Sequence, residues 1–144
     1  MSFVLDTMIK EEQPTVNKHL YRKGSLEKIK EKLEDSISNK TCFVTIGHSS
    51  QSGDELIMTG NVAGYVTDFK IEDGQGKLEI EPELHFPAGQ VFNSYMENGL
   101  NLKADFRLQS VLEDNHDEDG NYYVSMDDFG VENILAVVLD ESKD

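Results

Sequence analysis

The sequence predicts a single α+β domain whose mainly antiparallel, barrel-like sheet packs against two or three helices. Residues 77–86 and residues 102–108 alternate strictly between apolar and polar side chains, which is the period of a strand with one buried face. Between them, apolar residues recur every three or four positions over residues 90–98, as on a short amphipathic helix. Closing the sheet into a barrel would leave no exposed edges.

The same two periodicities predict the remaining elements. Residues 25–38 have a helical pattern with Ser25 as the predicted N-cap, and this helix should lie on the sheet. Further strands are expected at residues 2–9 (as an edge strand), 41–47, 55–59, 63–71, 121–126 and 134–140, with a hairpin turn at residues 72–76. One domain therefore spans residues 1–144, with an N-terminal strand and helix in residues 1–40 and the sheet core in residues 41–140.

Length and cysteine content limit where this protein works. A chain of 144 residues can bury an ordinary core. Its one cysteine, Cys42, lies in an apolar run and excludes an intramolecular disulfide, so a buried thiol in a reducing compartment is expected. No run approaches the roughly 20 apolar residues that a membrane span requires. We therefore expect a protein of the cytosol, or one carried inside a particle, with no membrane partner.

The net charge of −15 is unevenly distributed along the chain. The net charge is +1 for residues 1–40, −6 for residues 41–110 and −10 for residues 111–144. Such a surface repels phosphates, which excludes direct nucleic-acid binding as an expected function. A basic protein partner or mimicry of DNA remains open.

The acidic segment 113–120 raises the question of a metal site. Asn115, Asp117 and Asp119, followed by a glycine, resemble the first half of an EF-hand loop, but Met126 stands where the bidentate glutamate is required. An acidic hairpin loop is the better interpretation, and cation binding there is left open. The sequence has no P-loop, dinucleotide, CxxC, HExxH or GxSxG motif, so no cofactor or metal is expected.

Several short segments together carry a family resemblance. They are Asn17-Lys18-His19-Leu20-Tyr21, Ile46-Gly47-His48-Ser49, the segment from Gly99 to Arg107, Asp128-Phe129-Gly130, and the segment from Ala136 to Ser142. Their order over nearly the whole chain resembles the prohead (head-maturation) serine proteases of large tailed bacteriophages, which are related in fold to the herpesvirus assemblins. The resemblance implies the same barrel-like α+β fold.

The resemblance also implies a site, and the sequence departs from it there. His48 aligns with the catalytic base of the family, although the proline that usually follows is absent. Asp105 occupies the position of the nucleophilic serine, and Arg107 aligns with the arginine beside it. A carboxylate cannot replace a serine alkoxide in ordinary peptide hydrolysis. We therefore expect a vestigial site in which His48 lies within hydrogen-bond reach, or one water, of Asp105.

Three functions are compatible with these observations. The first is a phage head protein, catalytically inactive, that binds capsid, scaffold or a protease subunit in the host cytoplasm or the virion. The second is an active serine protease of the same fold with a displaced nucleophile, Ser94 or Ser110, and His48 as base. The third is an acidic phage inhibitor or DNA mimic that binds a basic host protein. Self-association into a homo-oligomer is left open.

Overall fold

The computed structural model describes residues 1–15, 18–47 and 62–138. Its elements in chain order are β1 (Phe3–Lys10), β2 (His19–Leu20), α1 (Ser25–Ser38), β3 (Phe43–Gly47), β4 (Val62–Glu72), β5 (Gln75–Pro82), α2 (Pro87–Glu97), β6 (Leu102–Gln109), β7 (Leu112–His116), β8 (Tyr122–Val124) and β9 (Gly130–Val138). The predicted strand at residues 55–59 lies outside the described residues.

Six of the strands form a closed barrel in the order β1-β5-β4-β3-β9-β6. Four of the six strand pairs are antiparallel, whereas β1–β6 and β3–β9 are parallel. The predicted α+β class with a mainly antiparallel, barrel-like sheet is therefore confirmed. The prediction of an edge strand at residues 2–9 is wrong, because Thr7 of β1 pairs with Ala104 of β6 and closes the barrel on that side.

Alternation along the strands separates the barrel core from its outer face. On β6, Leu102, Ala104 and Phe106 point inward and are buried, and the ring of Phe106 stacks on that of Phe69 at 5.8 Å. The intervening charged residues therefore lie on the outside, where they are half-buried. This outer face of β6 is the part of the fold that positions the candidate site.

The helix α1 has the predicted bounds but a different N-cap. Gly24 is the cap residue, with a left-handed φ of 94°, and Ser25 is the buried first residue of the helix. The free N–H groups of Gly24 and Leu26 donate to the carboxylate of Glu11, at 3.0 and 2.9 Å. The capping carboxylate thus belongs to a residue 13 positions before Gly24, and the sequence pattern around Ser25 cannot reveal it.

The connection from β5 to α2 lies earlier in the chain than the alternation predicts. The strand ends at Pro82 rather than at residue 86, and Leu84 is 53% exposed because residues 83–86 form a turn. The helix begins at Pro87, three residues before the predicted start, since proline suits the first helical position. A side chain at Gly89 would collide with the carbonyl group of Glu83, so only glycine allows this close approach.

The hairpin between β4 and β5 confirms the predicted turn. Asp73 and Gly74 have φ values of 52° and 77°, as the tight hairpin geometry demands.

A second sheet of three strands, in the order β2-β8-β7, lies beside the barrel. The prediction of an acidic loop over residues 113–120 is wrong for its first part, because β7 pairs with β8. The turn that follows is a hairpin held by Asp117, whose carboxylate accepts hydrogen bonds from the N–H groups of Asp119 and Asn121 at 3.0 and 2.8 Å.

In the described part of the chain, no group of three or more His, Cys, Asp or Glu side chains could hold a metal ion. None of its helices has the length and apolar character to cross a bilayer.

Candidate functional site

A cavity of about 730 Å³ opens on the outer face of the barrel, between β6 and the segment that follows β1. Its walls come from β1 and the following segment (Met8, Ile9, Pro14, Thr15, His19, Tyr21), from β6 and the residues after it (Asp105, Phe106, Arg107, Leu108, Ser110, Leu112), and from Glu132 of β9. Apolar side chains alternate here with a few charged ones, which is the usual character of a binding pocket.

The pair Asp105 and Arg107 lies on one face of β6 because the two residues are two positions apart in the strand. Arg107 Nε is 3.8 Å from Asp105 Oδ2, which is too long for a hydrogen bond. The side chains are 32% and 29% exposed, and Nε is buried without a hydrogen-bond partner among the described residues. This ion pair is therefore half-buried, and its hydrogen-bonding groups are incompletely satisfied by the described residues.

Burial controls the electrostatics of Asp105. It pairs in register with Leu135 of β9, and Leu135, Val137 and Met8 form a small apolar cluster on this side of the sheet. Desolvation by burial raises the pKa of Asp105, and the nearby positive charge of Arg107 opposes this rise. The carboxyl group therefore holds its proton to a higher pH than an exposed aspartate does.

Tyr21 brings a phenol to the same cavity. Its side chain is only 8% exposed, and burial together with the negative charge of Asp105 raises the pKa of Tyr21 to about 12. The backbone carbonyl of Tyr21 accepts a hydrogen bond of 2.7 Å from Glu12, which fixes this segment against the end of β1. At neutral pH Tyr21 is consequently a neutral hydrogen-bonding group close to Asp105.

The structure brings some of the predicted site residues together and separates others. Asp105, Arg107 and Ser110 line the cavity. Ser94 lies on α2, where it is exposed and its carbonyl accepts a hydrogen bond from Asn98, and it does not line the cavity.

His48 lies outside the described residues, so its contact with Asp105 stays a prediction. Gly47, the last described residue of β3, pairs with Val137, which in turn pairs with Lys103 of β6. The end of β3 is therefore separated from Lys103 of β6 by one strand, β9.

No role was predicted for three titratable residues of this cavity: His19, Tyr21 and Glu132. Local periodicity could not identify His19 and Tyr21, because β2 has only two residues and pairs with β8, about a hundred positions later. Glu132 lies in β9, two residues before the start of the strand predicted at residues 134–140. For His19 and Tyr21 the available signal was the family resemblance of residues 17–21.

Together, the closed barrel, the two helices and the order of elements define a prohead-protease-like fold, as the resemblance implied. A solved structure with this fold is that of the bacteriophage T4 capsid assembly protease, gp21, which superposes with a TM-score of 0.70. The alignment covers 95% of this chain and 82% of the phage T4 protein, at 18% sequence identity. No protein-family profile and no curated protein sequence matches the chain. At this level of identity the likeness establishes the fold alone.

Proposed function

We propose that this protein is a phage head-associated protein that uses a prohead-protease fold for binding rather than for catalysis. In this role residues 1–144 act as one domain, whose partner is a capsid, scaffold or protease subunit. The observation that carries the proposal is Asp105, which lines the cavity at the position where the family resemblance implies a nucleophilic serine.

The chemistry of Asp105 supports loss of catalysis. Covalent peptide hydrolysis requires a hydroxyl or thiol that a neighbouring base can deprotonate. Asp105 has neither, and a base such as His48 would have no proton to remove from an ionised carboxylate. The half-buried charges and apolar walls are nevertheless suited to holding a peptide segment.

The phage T4 protein of the same fold acts in capsid assembly, as its name states. We extend that setting to this chain as part of the proposal, which assigns it to the host cytoplasm and the phage head. The acidic surface, with a net charge of −15, favours a partner that presents basic residues.

A second candidate function is proteolysis by a displaced serine. Ser110 favours it, because this residue is exposed and lines the same cavity as Asp105. Ser94 does not line the cavity, so it has no comparable support.

Restoring the nucleophile tests the proposal. The wild-type chain, Asp105→Ser and the control Lys103→Ser on the same face of β6 would be incubated with scaffold and capsid proteins and analysed by mass spectrometry for cleavage. We expect no cleavage by the wild type or by Lys103→Ser, and a gain of cleavage in Asp105→Ser if the remaining site is intact. Cleavage by the wild type that Ser110→Ala abolishes would overturn the proposal in favour of the second candidate.

A further inference from the structure

The second sheet has an open edge next to the cavity. In the order β2-β8-β7, the strand β7 pairs with β8 on one side and with no strand of the described chain on the other. Four of its five residues are exposed. Unpaired main-chain N–H and C=O groups on such an edge are a ready template for another extended chain.

Exposed apolar side chains surround this edge. Val111, Leu112 and Tyr122 are 68%, 46% and 41% exposed, although aliphatic and aromatic residues of a paired sheet are usually covered on one face. Leu112 also lines the cavity that holds Asp105 and Arg107. The edge and the cavity therefore form one continuous surface.

The charges on the edge decide which partner fits. Glu113 is compensated by Arg22, whose Nε and Nη2 donate to it at 3.2 Å each. Asp114 on β7, and Glu118 and Asp119 in the turn after it, are exposed and form no ion pair with any described residue. A second copy of β7 would place like charges opposite one another, which opposes pairing. A segment that carries lysine or arginine would be attracted instead.

We propose that β7 binds an extended, basic segment of a partner protein by strand addition, with an apolar side chain of that segment packed on Leu112 and Tyr122. This inference rests on the proposed binding function and names the chemistry of its partner. The five residues of β7 offer about 16 Å of edge, enough for a similar number of partner residues.

Synthetic peptides test this proposal directly. The probe is a blocked octapeptide of alternating lysine and valine, titrated into the ¹⁵N-labelled full-length chain. One comparison peptide has glutamate in place of lysine, and the other has N-methyl groups on alternate residues, which removes donors without changing charge. We expect the basic probe to bind about ten-fold or more tightly than either comparison peptide, with resonance changes centred on β7. Equal binding of the N-methylated peptide would overturn strand addition, and equal binding of the acidic peptide would overturn the charge assignment.

Two charge-reversal variants locate the site. Asp114→Lys changes the edge, whereas Glu97→Lys makes the same charge change at the exposed end of α2. We expect the basic probe to lose most of its affinity for Asp114→Lys and little for Glu97→Lys. Equal losses would show a non-specific charge effect and overturn the proposal.

Assays with phage heads separate this inference from the proposed function. If the wild type and Asp114→Lys associate equally well with heads, the edge is not the docking surface although the binding function stands. If the wild type does not associate with heads, the proposed function fails whatever the peptides show.

Discussion

Two arginine–carboxylate pairs in this protein have the same chemistry and different surroundings. Glu113 lies on β7 of the second sheet, and Arg22 follows β2. Two hydrogen bonds of 3.2 Å join them, and the guanidinium lies 3.9 Å over the ring of Tyr123. Arg107 and Asp105 lie in the cavity at 3.8 Å, without a hydrogen bond. The hydrogen bonds within the first pair satisfy both partners, whereas in the second pair Arg107 Nε has no hydrogen-bond partner among the described residues.

This difference separates a structural ion pair from a candidate site. Partly desolvated charges with poor mutual geometry contribute little to stability and can reduce it. Stability alone therefore does not explain Asp105 and Arg107, and their position in the cavity supports a role in binding.

Removing one member of the cavity pair should destabilise the fold most. In Arg107→Met, Asp105 loses the nearby positive charge that opposes its desolvation. We expect a loss of about 1–3 kcal/mol, below the cost in a fully buried pair because both side chains remain partly exposed. Urea denaturation at pH 7 measures it. A loss that persists in Arg107→Met combined with Asp105→Asn would show that lost packing, rather than the uncompensated charge, is the cause.

The two carboxylates should titrate in opposite directions. Burial raises the pKa of Asp105, whereas hydrogen bonds from Arg22, and then from Asn115, lower the pKa of Glu113. Carboxyl ¹³C NMR should therefore show Asp105 above the ordinary value of about 3.9 and Glu113 below the ordinary value of about 4.3. Shifts of the same sign would contradict the contrast between the pairs.

The sign of the pH effect on stability follows from these shifts. The native state binds the Asp105 proton more tightly than the unfolded chain does, so stability relative to Asp105→Asn should fall as pH rises from about 3.9 through the raised native pKa. The contribution of Glu113 has the opposite sign, because it is present above its unfolded pKa and lost as pH falls through the lowered native value.

How far the sequence predicts this site depends on the range of the interactions involved. Alternation and helical spacing are local, so they correctly located β6, most of β5 and α1. The capping of α1 by Glu11 and the closure of the barrel on β1 depend on contacts distant in sequence, and no local pattern contains them.

The same limit applies to the candidate site. Alternation predicted that Asp105 and Arg107 share a face of β6, which the structure confirms. It could not predict that Tyr21 would reach Asp105, because the segment that carries Tyr21 is positioned by a two-residue parallel pairing of β2 with β8.

A smaller effect is expected for the pKa of Tyr21, which tests the electrostatic coupling of Tyr21 to Asp105 in the cavity. Its pKa of about 12 arises first from burial and second from the charge of Asp105. An absorbance titration should show an ionisation near pH 12 that Tyr21→Phe removes and that Asp105→Asn moves only part of the way towards 10.0. Circular dichroism at each pH would verify that the chain is folded. No change in Asp105→Asn would show that the two groups are not coupled.

The smallest effect is expected at the satisfied pair. Arg22→Met should leave the midpoint of urea unfolding nearly unchanged, because exposed ion pairs contribute little. It should, however, return the pKa of Glu113 towards its ordinary value, since the hydrogen bond from Arg22 is the main cause of the lowering. A larger loss of stability than in Arg107→Met would reverse the contrast.

The most direct test compares stability with binding in one pair of double variants. Asp105→Asn with Arg107→Gln neutralises the cavity pair, and Asp6→Asn with Lys77→Gln neutralises a 3.0 Å ion pair elsewhere on the barrel surface as a control. Association with purified phage heads would be measured beside urea unfolding for both. We predict that the cavity variant keeps or gains stability and loses association, while the control keeps association. Undiminished association of the cavity variant would contradict the assignment of Asp105 and Arg107 to a binding site.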